Sequence, residues 1–284
     1  MSRRLQTALG IFAWLWCVSA TLSVAPAASH QQAPTAAPAT ATLPSDAEME
    51  RFLLDGRLLK SRGAGKGITG SIRATLTDGT LTHDVHVQTI DESKREFRSA
   101  QGVEFNFRDS WTFNIAAYKI DRMLGLNLVP VSVKRRWRSM EAAYTWWVDD
   151  VMMDEGDRLK KKTSPPDSKY WNEQMQLVRL FDQLIANTDR NLGNLLITNQ
   201  WRIWAIDHTR AFRTSPALKS PANIGRCDRQ VFERLKRLDR PTLTRAVGEY
   251  LQTWEIDSML KRRDAIVALI EKRGDGGLFD RVQP

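Results

Sequence analysis

The stretch that most constrains this chain runs from residue 171 to residue 208, where a helical stripe gives way to a polar loop and then to two short strands. Trp171, Met175, Val178, Phe181 and Ile185 recur at spacings of four, three, three and four, which puts them on one face of a helix ending near Asn187. The loop that follows reads Asn187-Thr-Asp-Arg-Asn-Leu-Gly-Asn194. Residues 195–197 and 201–206 then read as strands about a polar turn, and the second delivers Asp207 and His208. Asp189 and Asn194 have four residues between them, and Asp207 comes thirteen residues after Asn194.

Upstream of this stretch the pattern is mostly extended. A short helical pattern from Ala47 (Met49, Phe52, Leu53) leads to clustered glycines, and segments 71–76 and 81–90 flank Thr77-Asp78-Gly79. Asp-Gly supplies the positive φ of a tight turn, so these segments read as a β-hairpin. A helix is expected from about Ser110 to Leu124, capped by Asp109 or Ser110 and closed by Gly125. Strands are expected at 131–137 and 142–148, and apolar positions from Val231 to Ile270 give at least three further helices.

Two carboxylates and an amide in the order Asp189, Asn194, Asp207 suit phosphoryl transfer. One carboxylate orients an attacking hydroxyl and accepts its proton, while the amide and the second carboxylate hold a metal ion on the phosphates. The segment resembles the catalytic loop of protein kinases and the metal-binding Asp that follows it. With Asp-Arg-Asn and Ile-Asp-His in place of His-Arg-Asp and Asp-Phe-Gly, it is similar to atypical kinases: secretory-pathway kinases of the Golgi casein kinase type, phosphatidylinositol 3- and 4-kinases, and HipA-type toxin kinases. The run Ile115-Ala-Ala-Tyr-Lys-Ile-Asp-Arg-Met-Leu-Gly-Leu-Asn-Leu-Val-Pro130 is similar to the helix after the third strand of the secretory-pathway kinases.

The resemblance spans roughly residues 60–270 by order of motifs and implies an α+β, two-lobed kinase-like fold. Its β-rich N-lobe with one helix would occupy residues 49–150, and its mostly helical C-lobe residues 151–284. Asp189 would be the catalytic base, Asn194 and Asp207 the metal ligands, and ATP with Mg2+ or Mn2+ the cofactors. Gly65-Lys66-Gly67-Ile68-Thr69-Gly70 precedes a strand, and its glycines let backbone amides approach phosphates, so Gly65, Lys66, Gly67 and Gly70 are candidate nucleotide contacts. No helix opens after Gly70, which disfavours a dinucleotide-binding fold.

Two positions depart from the kinase pattern. Where kinases carry a strand Lys and a helix Glu, this chain has Gln88 and Asn114, and a Gln88–Asn114 amide pair would keep the geometry without the charge. Lys66 and Arg73 are the candidate replacements for the lost cation. The resemblance therefore implies a kinase acting on a protein, lipid or small-molecule hydroxyl, or alternatively a kinase-fold binding protein that has lost transfer. A tethered envelope scaffold is supported only by the N-terminus and the tryptophans.

That N-terminus has Arg3 and Arg4 ahead of an apolar run from Leu9 to Val24 and small residues through Ala28, the layout of a cleavable secretory signal. The run is short for a spanning helix, so export without a stable span is expected, with an uncleaved anchor as the alternative. Residues 29–48, rich in Ala, Pro and Thr, read as a disordered tether. Cleavage removes Cys17 and leaves Cys227 alone, so no internal disulfide is expected.

The formal charge of +9, or +7 once the leader is gone, fits an anionic partner such as a nucleotide. No Cys/His zinc pattern or RNA-binding signature points to nucleic acid. Trp146, Trp147, Trp201 and Trp204 are read as packing residues, and His83, His86 and His208 as structural ones.

Overall fold

Ser45 opens the first helix, α1 (Asp46–Asp55), as a capping box: its hydroxyl accepts from the Glu48 N–H at 3.4 Å while its own N–H donates to the Glu48 carboxylate at 2.7 Å. The helix thus begins inside the stretch assigned to the tether, because a local cap sets its start. The structure, a computed structural model, describes residues 44–63, 71–99, 102–187 and 190–281.

The N-terminal part of the fold is a five-stranded antiparallel sheet. Its strands are β1 (Arg57–Gly63), β2 (Ile72–Thr77), β3 (Thr82–Gln88), β6 (Ser132–Trp137) and β7 (Met140–Trp146), in the order β1-β2-β3-β7-β6. The expected hairpin is β2–β3, turning at Gly79 with φ 97° while the Asp78 carboxylate accepts from the Thr80 and Leu81 N–H groups. Period-two alternation sorts the sheet's faces. Ala74, Leu76, Val85 and Val87 join the core with Phe52 and Leu53 of α1. Arg73, Thr75, Asp84, His86 and Gln88 line the opposite face.

Between β3 and the next helix lies a second antiparallel hairpin, β4 (Asp91–Ser99) and β5 (Gly102–Ser110). The pair was not expected: β4 is mostly charged, and the alternation of Val103, Phe105 and Phe107 in β5 is the signal that goes with it. Tertiary ion pairs hold the hairpin: Arg108 to Glu255, Asp109 to Arg210 and Glu104 to Arg213, each at 2.7 Å. Ser110 is consequently the last strand residue rather than a helix cap, its hydroxyl donating to Asp91 across the hairpin at 2.7 Å. Helix α2 (Thr112–Leu124) begins two residues later than expected and, as expected, ends at Gly125 in the left-handed conformation. Asp121, fully buried, accepts from the Leu128 and Val129 N–H groups and pairs with Arg122, fixing the turn into β6. Burial raises its carboxyl to about 6.

The C-terminal part is mostly helical. A small antiparallel sheet, ordered β10-β9-β8, is built from β8 (Val151–Asp154), β9 (Leu195–Thr198) and β10 (Ile203–Ala205). Helices α4 (Ser168–Leu184), α5 (Arg229–Arg237), α6 (Arg240–Val247) and α7 (Thr253–Glu271) follow the sequence pattern, whereas α3 (Glu155–Lys161), capped by the Asp154 side chain, was not expected. The Asp167 side chain caps α4 by accepting from the Lys169 and Tyr170 N–H groups. Trp171, Val178, Phe181 and Ile185 of the predicted stripe are buried, at the level where truncating Phe181 would cost about 3–5 kcal/mol. Cys227 is buried, and burial with the nearby Asp228 pushes its thiol up to about 12. No helix among the described residues is long and apolar enough to cross a membrane.

Trp146 is buried and stacks on His83 at 3.8 Å, and Trp201 meets Trp171 edge-on at 5.9 Å. Trp147 lies under Arg73 and Trp204 under Arg202, at 4.1 and 3.9 Å. The tryptophans pack, as their positions suggested.

Candidate active site

The polar loop leaves α4 under the control of one carboxylate. Asp182, in the last turn of α4, accepts from the Asn187 side chain at 3.2 Å and from Arg190 through Nε at 3.1 Å and an η nitrogen at 2.8 Å. Arg190 also donates to the Ile206 carbonyl at 2.7 Å and contacts His208 Nε2 at 3.0 Å. One guanidinium therefore ties the helix end, the loop and the end of β10 together. The sequence motif contained Arg190, but only the fold reveals it as the organiser.

The metal-ligand candidates come together at the end of the β9–β10 hairpin. The Asn194 side-chain amide lies 3.4 Å from the Asp207 carboxylate, and the Ile206 N–H donates to the Asn194 carbonyl at 3.0 Å. Asp207 is exposed, has φ 57° and accepts from the Thr209 hydroxyl at 3.2 Å. The left-handed backbone, uncommon for a residue with a side chain, is here adopted by a residue type that tolerates it. No Lys or Arg among the described residues pairs with Asp207. Asp189 lies outside the described residues, but the residues that bracket it, Asn187 and Arg190, are both bonded to Asp182.

The donor set suits a hard cation. A carboxylate with an amide carbonyl supplies the oxygens that Mg2+ prefers, and the contact between the two side chains brings both donors to one place. Asn194 and Asp207 would hold such an ion.

Gly65, Lys66, Gly67 and Gly70 also lie outside the described residues. Their flanks are placed: Gly63 of β1 and Ile72 of β2 are cross-strand partners, so the glycine-rich segment connects two paired antiparallel strands. Gln88 and Asn114 are both buried, but they do not form the anticipated amide pair. The Gln88 carbonyl accepts from the Thr89 and Ile90 N–H groups at its own strand end. Asn114 accepts from the His208 N–H at 2.9 Å, which docks α2 against the residue after Asp207. Two unmet backbone requirements thus claim the amides. Arg73 is committed as well, to Asp84 and to the face of Trp147.

Two of the histidines read as structural stand near the candidate residues. His208 is fully buried, and burial first, then Arg190, holds it well below its usual pKa. Because Arg190 can only donate, His208 Nε2 accepts. His86, on the polar face of β3, meets the Ser71 hydroxyl through Nε2. Burial lowers its pKa while the charge of Asp207 pulls it back up, which places the ring in the electrostatic reach of the metal-ligand candidate. Alternation along β3 put His86 on the same face as Gln88, and that was the available signal.

No protein-family model matches this chain, and no curated protein matches it either. Solved structures do. A structure of hydra Fam20 with sugar superposes with a TM-score of 0.60 over 84% of this chain and 93% of that one, at 14% identity. A Golgi casein kinase superposes with a TM-score of 0.52 over 81% of this chain and 76% of that one, also at 14% identity. The β-rich half and the helical half expected from the sequence are therefore those of a known architecture: this chain has the two-lobed, kinase-like fold of these solved structures.

Proposed function

We propose that this chain is an exported kinase that transfers the γ-phosphoryl group of ATP to a hydroxyl of a protein, lipid or small-molecule acceptor. The observation that carries the reading is the convergence of Asn194 and Asp207 at the end of β10, beside a loop anchored by Arg190. In the reaction the acceptor oxygen forms a bond to the γ-phosphorus, the bond from that phosphorus to the bridging oxygen breaks, and ADP leaves. Asp189 orients the acceptor hydroxyl and takes its proton. Asn194 and Asp207 would hold Mg2+ or Mn2+, which would neutralise charge on the phosphates when bound. Gly65, Lys66, Gly67 and Gly70 cover the phosphates from the β1–β2 connection, and Gln88 and Asn114 border the same cleft. The sugar in the hydra neighbour's structure favours trying sugar hydroxyls first.

Residues 1–28 act as the export signal and those from 29 to the start of α1 as a tether, leaving no stable membrane span after cleavage. The partners are a nucleotide and the acceptor, not a nucleic acid. A second reading, a nucleotide-binding protein without transfer, is favoured by the neutral Gln88 and Asn114 and by their engagement with backbone groups.

Calorimetric titration of the purified protein with ATP and magnesium, beside Asp207→Ala, tests the shared core of both readings. Metal-dependent binding lost in Asp207→Ala is expected, and no binding at millimolar ATP refutes both. Release of ADP on addition of acceptors then separates transfer from binding alone.

A further inference from the structure

The described residues leave the lysine-like role in the cleft without a lysine. Gln88 is turned to its own strand end, and Arg73 is held by Asp84 and Trp147. His86 is placed differently. It is the cross-strand partner of Arg73, lies on the polar face of the sheet, and stays half-buried where solvent reaches it. Its Nε2 is engaged by Ser71, the residue that precedes β2, so the imidazole joins the start of β2 to β3. Among the described residues no protein group takes Nδ1.

We propose that His86 is the β3 side chain that contacts the phosphates of the donor nucleotide, with Ser71 fixing the orientation of its ring. In this role the Ser71 hydroxyl donates to Nε2 and the ring carries its proton on Nδ1, free to donate to a phosphate oxygen. The contact needs no fixed positive charge, and a neutral imidazole supplies it. It explains how the site dispenses with Lys at position 88. The inference rests on the nucleotide reading above.

The test is calorimetry of the purified protein with ATP, ADP and adenosine in the presence of magnesium, comparing wild type with His86→Ala, His86→Asn and Ser71→Ala. A single hydrogen bond is worth roughly 0.5–1.5 kcal/mol net. His86→Ala should therefore weaken ATP about tenfold, or ~1.4 kcal/mol, and leave adenosine unchanged. His86→Asn, whose amide nitrogen can stand where Nδ1 stood, should recover affinity to within about threefold of wild type, and Ser71→Ala should cost about threefold. Equal ATP affinity in His86→Ala and wild type overturns the role of His86 and leaves the kinase reading standing. A loss of the same size for ATP and adenosine marks a structural role and also overturns it. If His86→Ala does not fold, Ser71→Ala and His86→Asn decide: His86→Asn within about threefold of wild type together with a phosphate-selective loss in Ser71→Ala supports the contact, and any other pair of results overturns it. Wild type that binds no ATP refutes the nucleotide reading, and this inference with it.

Discussion

Replacing Arg190 by Ala removes the guanidinium that joins α4, the loop and β10. Both members of its ion pair are nearly buried, with side chains 12% and 11% exposed for Arg190 and Asp182. The substitution leaves Asp182 with the Asn187 amide as its remaining side-chain donor and strips the Ile206 carbonyl and His208 Nε2 of theirs. Removing one partner of a buried pair costs about 3–5 kcal/mol, and the residual exposure points to the lower end, about 3 kcal/mol. With a urea slope of about 3 kcal/mol/M, the unfolding midpoint should fall by ~1 M. Asp182→Asn and the double variant complete a thermodynamic cycle, in which a coupling of about 1–3 kcal/mol is expected between contacting groups. Urea unfolding followed by tryptophan fluorescence measures all four proteins. A midpoint shift under about 0.3 M for Arg190→Ala, or additive single effects, would refute the view that this pair anchors the loop.

Asn114→Ala strands the buried His208 N–H and should cost about 1–3 kcal/mol in the same unfolding measurement, whereas an exposed-surface value near zero would contradict the docking of α2 on the loop. His208 has a depressed pKa in the fold, so the unfolded chain binds the extra proton below the ordinary value of 6.5. Its contribution to stability is thus fully present above pH 6.5 and is lost as the pH falls toward the folded pKa. Stability measured between pH 7.5 and 5.5 should therefore drop more steeply in wild type than in His208→Gln, by up to about 1.4 kcal/mol per pH unit, and identical slopes would show that His208 is not buried neutral. Burial raises the Glu255 carboxyl despite its contact with Arg108. Arg108→Ala should thus release the β4–β5 hairpin and speed amide hydrogen exchange there, while unchanged exchange would mean that other contacts order it.

The sequence by itself determined what nearest neighbours along the chain can enforce. Spacings of three and four between Trp171 and Ile185 specify α4, Asp78-Gly79 specifies the β2–β3 turn, and Gly125 ends α2, because caps and periodicity act within a turn or two. The spacing of Asn194 and Asp207 along a tight strand pair likewise carried its meaning locally, since a hairpin leaves little freedom in where its ends meet. Tertiary structure decided what depends on partners far away. The charged β4 strand of the β4–β5 hairpin carries no apolar alternation, and the hairpin stands on ion pairs such as Arg108–Glu255, whose residues are 147 positions apart. Gln88 and Asn114 looked like a pair because they occupy paired positions in the kinases, but backbone N–H groups claim both amides. His86 feels the charge of Asp207, 121 positions away in sequence, only because the chain has packed. Side-chain partners are chosen by whichever groups burial leaves unsatisfied, and burial is known only once the whole chain has packed.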